Sequence, residues 1–212
     1  MSPLLKQNLK LYLIGSLILI AVVSILAIVT LNLTFTYPII SRHYNLDVIT
    51  GFDHDTLLYN YRQIIHYLNF PWVRTLVMPD FPMSATGEFH FWEVKVIFHV
   101  LHVISLLFVA CLFIAIKKKK PLLSYFNAAA NLAFMTFGSV LIVMLLNFNF
   151  AFYWFHRVFF NNDYWIFDAT TDPIILALPG ELFMIKGVIL IALLFFIGAV
   201  SKILYKRKSK TP

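Results

Sequence analysis

Seven histidines occur in the chain, at positions 43, 54, 66, 90, 99, 102 and 156. Imidazole, with a reference pKa of about 6.5, can both take and give a proton near neutrality. His90 and Glu93 form the most telling pair, because i to i+3 spacing on a helix puts both on one face, with Lys95 completing a charge cluster. His156 and Arg157 sit inside Phe-Tyr-Trp-Phe-His-Arg-Val-Phe-Phe, two ionisable groups embedded in apolar surface where an acyl chain could lie. Asp163, Asp168 and Asp172 follow closely, and a carboxylate of this kind commonly orients a catalytic imidazole. His99 and His102 lie farther into an apolar run, where an ionisable group either serves function or is hydrogen-bonded between helices. His43, His54 and His66 fall in a polar loop and carry little expectation.

Other chemistries find less support. His90, Glu93 and His156 are ligand types that zinc accepts, but their spacing is no metal signature, and no metal or other cofactor is expected. A bis-histidine haem would need a second histidine on a facing span, and the other apolar runs contain none. The chain has no Gly-x-Ser-x-Gly elbow and no phosphate-cradling glycine loop. Its one cysteine, Cys111, lies about five residues from a tetralysine, near the cytoplasmic end of the second apolar run and so on the wrong side to serve as nucleophile for chemistry outside.

The elements that must position these residues are membrane spans. The 212 residues are 60% hydrophobic and 13% charged, outside the usual range of a soluble domain. Apolar runs at about 11–35, 91–116, 122–148 and 182–204 are each long enough to cross about 30 Å of hydrocarbon. Eleven of the seventeen Lys and Arg residues lie before the first run, between the second and third, or after the fourth. The positive-inside rule makes that side cytoplasmic, so both termini are expected there. All ten acidic residues fall in or beside the two segments left on the other side, about 37–89 and 151–181, and no histidine is cytoplasmic. The net charge of +7 is thus a topology and lipid-surface signal, not a nucleic-acid footprint. The first run lacks a small-residue cleavage site and reads as a retained anchor.

The fold expected is an all-α membrane protein forming a single integral domain over 1–212, with four transmembrane helices and a small extracytoplasmic cap. Leu57, Leu58, Tyr61, Ile64, Ile65 and Leu68 recur at helical spacing from Asp55-Thr56 to Asn69, predicting an amphipathic helix at the membrane surface or against the spans. Residues 72–77 and Tyr164-Trp165-Ile166-Phe167 predict short β-strands that could pair with each other within the cap.

His90-Phe-Trp-Glu-Val-Lys95 and the long run from Phe155-His-Arg-Val-Phe-Phe-Asn-Asn-Asp-Tyr-Trp-Ile-Phe-Asp to Pro179 resemble the lipoprotein intramolecular transacylase family of integral membrane proteins. The second motif is long and fairly specific, and the likeness covers essentially the whole chain. The resemblance implies an enzyme of the cell membrane with an outward-facing site; a monomer is expected. It implies a diacylated lipoprotein substrate, whose sn-2 acyl chain moves to the α-amino group of the N-terminal cysteine to give the lyso form. Ester aminolysis needs a base for the amine, a donor for the oxyanion and an acid for the alkoxide. His90 and His156 can supply these steps, with His156 as base and His90 as acid or oxyanion donor, or the reverse. Glu93, Arg157, Asp163, Asp168 and Asp172 would support or orient them, and Arg157 or Lys186 could contact carbonyls. Beyond membrane lipids and the lipoprotein, no partner is expected. The competing readings are another lipid acyltransferase or lipase of the outer leaflet, and a non-enzymatic transport or adaptor subunit.

Overall fold

The computed structural model describes residues 2–210, and its regular elements are helices. They are α1 (Pro3–Asn32), α2 (Thr36–His43), α3 (Leu46–Thr50), α4 (His54–Asn69), α5 (Ala85–Lys117), α6 (Leu123–Leu146), α7 (Phe148–Phe159), α8 (Ile174–Ala177) and α9 (Gly180–Lys208). Four of these, α1, α5, α6 and α9, are long and apolar enough to cross a membrane. The chain divides into two compact units, one made of residues through Ile28, Leu101–Leu146 and Gly187 onwards, the other of Val29–Val100 and Asn147–Lys186.

The first unit is built on small residues. Ala128, Ala129, Ala130 and Ala133 are the buried face of α6, and Gly15 of α1 approaches so closely that a Cβ there would lie 3.0 Å from that of Ala128. Lipid tails are as apolar as leucine, so helices in a bilayer gain most by bringing backbones together in this way. Leu26, Ala133 and Leu194 form a compact core, while Leu17, Leu106 and Met135 remain exposed, as side chains facing hydrocarbon do. Lys202 donates through Nζ to Asn131 Oδ1.

The second unit has a conventional apolar core. Helix α4 begins where Asp53 accepts hydrogen bonds from the Asp55 and Thr56 amides (2.9 and 2.8 Å), satisfying donors that the first helical turn leaves orphaned. Its stripe of Leu57, Tyr61, Ile64, Ile65 and Leu68 is buried against residues of the same unit, including Tyr37, Phe81, Phe91, Ile174 and Leu182. Of the two places expected for this amphipathic helix, the structure has the one against the spans: its apolar face packs in a core that includes Phe91 of α5 and Leu182 of α9, at about 1.5–3 kcal/mol for each large side chain fully buried. Tyr37 and Tyr61 stack with ring centroids 4.2 Å apart, and the Tyr37 hydroxyl donates to the Ala177 carbonyl (2.9 Å). Lys186 donates to the carbonyls of Thr30 (2.8 Å) and Leu33 (3.3 Å), closing the C-terminal end of α1, where backbone acceptors run out of helical partners.

The short strands expected at residues 72–77 and at Tyr164–Phe167 are irregular backbone, and no strand forms among the described residues. Local bonding accounts for the second. Asn162 Oδ1 accepts from the Tyr164 amide, Asp168 Oδ1 from the Thr170 amide, and the Asp163 carbonyl from the Ile166 amide. Asn and Asp side chains that bond the backbone two residues on make turns and consume the groups a ladder would use. Around the first, Pro71, Pro79 and Pro82 each lack a donor.

Candidate active site

Two imidazoles from distant parts of the chain meet in the second unit. His90, from the second turn of α5, and His156, from the last turn of α7, have ring centroids 6.0 Å apart and are both more than nine-tenths buried. Helix α7 exists because the chain breaks at Asn147, whose side chain caps the new helix by accepting from the Phe150 amide (3.0 Å).

Rings close over the pair. Phe160 lies edge-on to His90 at 4.7 Å and Phe167 at 5.6 Å, while Trp165 stacks on His156 at 4.6 Å and Phe152 lies 4.1 Å from it. The result is a largely apolar box holding two proton-transfer groups, where electrostatic interactions are stronger than in water.

The two imidazoles differ at Nδ1. Nδ1 of His156 lies 2.7 Å from the Phe152 carbonyl, which can only accept, so Nδ1 carries the hydrogen and Nε2 presents a lone pair. Burial pushes the His156 pKa down, opposed by that hydrogen bond, which favours the charged ring. A neutral ring near pH 7 follows. His90 Nδ1 and Glu93 Oε2 face each other across 3.9 Å, both buried and without a hydrogen-bond partner. The other Glu93 oxygen accepts from Asn162 Nδ2 (2.8 Å).

Asn162 was not singled out by its sequence, yet it serves both rings. Its side chain anchors Glu93, and its main-chain carbonyl accepts from Nε1 of Trp165 (3.1 Å), the ring stacked on His156. The available signal was Asn-Asn-Asp after a helix, which reads as a turn. Phe160 belongs to the apolar run around His156, and Trp165 and Phe167 to the stretch expected as a strand.

The remaining expected residues are distributed differently. Arg157 pairs with Asp163 (2.9 Å) and with the Tyr153 hydroxyl (3.0 Å) on an exposed surface. Asp168 shapes its own turn through the Thr170 amide and hydroxyl. Asp172 is buried but bonds the Ser84 amide (2.8 Å), the Ser84 hydroxyl and the Thr171 hydroxyl, not an imidazole. It fixes the start of α5, where a carboxylate also complements the helix dipole. Gly87 is required there, because a Cβ would overlap Asp172 Oδ1. Lys186 is occupied at the end of α1. His99 lies about 13 Å beyond His90 along the axis of α5, and Cys111 belongs to the first unit. Among the described residues no group of three or more His, Cys, Asp or Glu side chains is placed to hold a metal ion.

Residues 12–183 match the family model of the lipoprotein intramolecular transacylase Lit. The chain belongs to the Lit family. Lit proteins are acyltransferases, and this one, with its four apolar helices, is a multi-pass membrane protein. The membrane-integral Lit from Bacillus cereus superposes on it with a TM-score of 0.85 at 24% identity, covering 97% of each chain. Two Bacillus cereus Lit variants, with one histidine replaced by arginine or by alanine, give TM-scores of 0.73 and 0.75 at the same identity. The arginine variant covers 98% of this chain and 95% of its own, and the alanine variant all of both. At that identity the likeness speaks to the fold. No curated protein sequence matches this Lit family member.

Proposed function

We propose that this protein moves the sn-2 acyl chain of a diacylglyceryl lipoprotein to the α-amino group of its N-terminal cysteine, with His90 and His156 carrying the protons. The observation behind this reading is the pair of buried imidazoles 6.0 Å apart, one with its Nε2 lone pair free and the other backed by a carboxylate. An α-amino group has a pKa of about 7.7–8.0, so much of the substrate arrives as ammonium. It must lose one proton to become a nucleophile and a second as the amide forms. Two basic rings match that need.

In the reading favoured here, His90 takes the first proton, and Glu93 stabilises the imidazolium. The amine nitrogen attacks the ester carbonyl carbon and gives its second proton to Nε2 of His156. When the tetrahedral adduct collapses, the bond from carbonyl carbon to the glycerol oxygen breaks, and the His90 imidazolium protonates the departing alkoxide. His156 then releases its proton to solvent, so ester and ammonium become amide, alcohol and one proton. Amine and ester belong to one molecule, and the high effective molarity of such a reaction makes an acyl-enzyme unnecessary.

The site is assigned to the extracytoplasmic side. All ten acids lie in or beside the segments between the spans opposite to those carrying the lysine clusters. The direct test is to express His90→Ala and His156→Ala separately and to analyse lipoprotein N-termini by mass spectrometry. Loss of the lyso form in each is expected. Full conversion by both variants would sink the assignment.

A further inference from the structure

A groove of about 290 Å³ lies in the second unit, on another face of α5 from His90. Ala85, Glu88, Phe89 and Trp92 form one wall at i, i+3, i+4 and i+7 spacing, and Tyr67, Arg74, Thr75 and Leu76 form the other. Its volume would hold on the order of ten waters, the size of a small polar group and too small for a folded partner.

The groove is built rather than incidental. Leu76 and Tyr67 are buried in its floor. Lys95 lies over the Tyr67 ring at 4.1 Å and donates to the Val73 carbonyl, fixing the backbone immediately before Arg74. Burial, assisted by the nearby Glu88 carboxylate, pushes the Tyr67 phenol up. Arg74 and Glu88 carry opposite charges on opposite walls, and among the described residues neither forms an ion pair.

Below the groove the same face of α5 changes character. Trp92, Val96 and Val100 follow one another at four-residue intervals, each at least two-fifths exposed. A charged recess leading into an exposed apolar stripe on a membrane-crossing helix matches one kind of molecule, a zwitterionic lipid. We propose that this groove seats the headgroup of an aminophospholipid, with its phosphodiester on Arg74 and Thr75, its primary ammonium on Glu88, and its chains along Trp92, Val96 and Val100. Trp72 and Trp92, both exposed, are of the residue type that settles at the headgroup level. The site is separate from the histidine pair and stands or falls independently of the acyl-transfer reading.

The test uses the full-length protein, delipidated in detergent and titrated with phosphatidylethanolamine, phosphatidylcholine or phosphatidylglycerol of identical chains. Bound lipid is counted by native mass spectrometry. Glycerol carries no cation, so the wild type should retain phosphatidylethanolamine about fivefold better than phosphatidylglycerol, the scale of one exposed charge pair, and also better than phosphatidylcholine, whose ammonium cannot donate a hydrogen bond to Glu88. Arg74→Ala should weaken all three, and Glu88→Gln should remove the preference, weakening phosphatidylethanolamine most and phosphatidylglycerol not at all. Equal retention of the three lipids by the wild type would overturn the proposal without recourse to any variant. So would variants, folded by circular dichroism, that bind phosphatidylethanolamine as the wild type does. If a diacylated lipopeptide displaces phosphatidylethanolamine from the wild type and its own binding is lost in Arg74→Ala and Glu88→Gln, the groove belongs to the substrate peptide and the lipid assignment fails.

Discussion

Replacing Asn162 with alanine separates positioning from chemistry, because Asn162 touches neither imidazole. The substitution removes the 2.8 Å hydrogen bond to Glu93 and the 3.0 Å bond from the Tyr164 amide, but keeps the main-chain carbonyl that holds Trp165. A hydrogen bond to a charged group is worth about 1.5–3 kcal/mol. The Glu93 side chain is 20% exposed, so water can replace part of the loss, and the lower figure of about 1.5 kcal/mol applies. If Glu93 matters mainly when His90 is charged, that energy is lost in the transition state and turnover falls about tenfold. Substrate affinity should change far less. The assay is the initial rate of lyso-lipopeptide formation, followed by mass spectrometry at several substrate concentrations. Asn162→Asp should be worse, since it sets a second carboxylate against Glu93. A folded Asn162→Ala enzyme with wild-type kcat would refute the chain of reasoning from Asn162 through Glu93 to His90.

Two further outcomes concern stability. The folded-state pKa of His156 lies below its unfolded value of 6.5, so above that pH the ring is neutral in both states and contributes no pH dependence. As the pH falls below about 6.5, the unfolded chain takes a proton that the folded chain resists, and stability drops by up to about 1.4 kcal/mol per pH unit until the folded pKa is passed. Thermal unfolding in detergent should therefore lose more Tm between pH 7 and pH 5 in the wild type than in His156→Gln; equal losses would contradict the burial argument. Gly87→Ala forces a methyl into the space occupied by Asp172 Oδ1, an overpacking worth about 1–3 kcal/mol. A Tm equal to that of the wild type would show that the carboxylate can retreat at no cost.

What could be read from the sequence followed the range of the forces involved. Hydropathy and charge placement located α1, α5, α6 and α9 because crossing a bilayer is a demand each helix meets through its own residues. The stripe on α4 was equally visible, since a 3.6-residue period is local, although the Asp53 cap lay two residues before the expected start. His90 and Glu93 could be paired by spacing alone. The approach of His156 to His90 spans 66 positions, and the two motifs hinted at it without fixing it. The expected strand at 164–167 failed for a local reason that residue type conceals: Tyr164-Trp165-Ile166-Phe167 is rich in strand formers, but Asn162 and Asp168 bond the amides of Tyr164 and Thr170. Asp172 was expected beside a histidine and instead holds Ser84, because a carboxylate in a sequence does not reveal which buried donors need it.

The bond from Asp172 to Ser84 also bears on how such a protein could be taken apart and recombined. Residues 84–93 carry Ser84, Gly87, His90 and Glu93, and residues 156–172 carry their counterparts His156, Asn162, Phe167 and Asp172. A hybrid that took one of these stretches from a relative lacking the matching partners would break a carboxylate lock, a carboxylate anchor and a ring contact at once. The two stretches behave as a single transplantable module, though they are written in the gene as two.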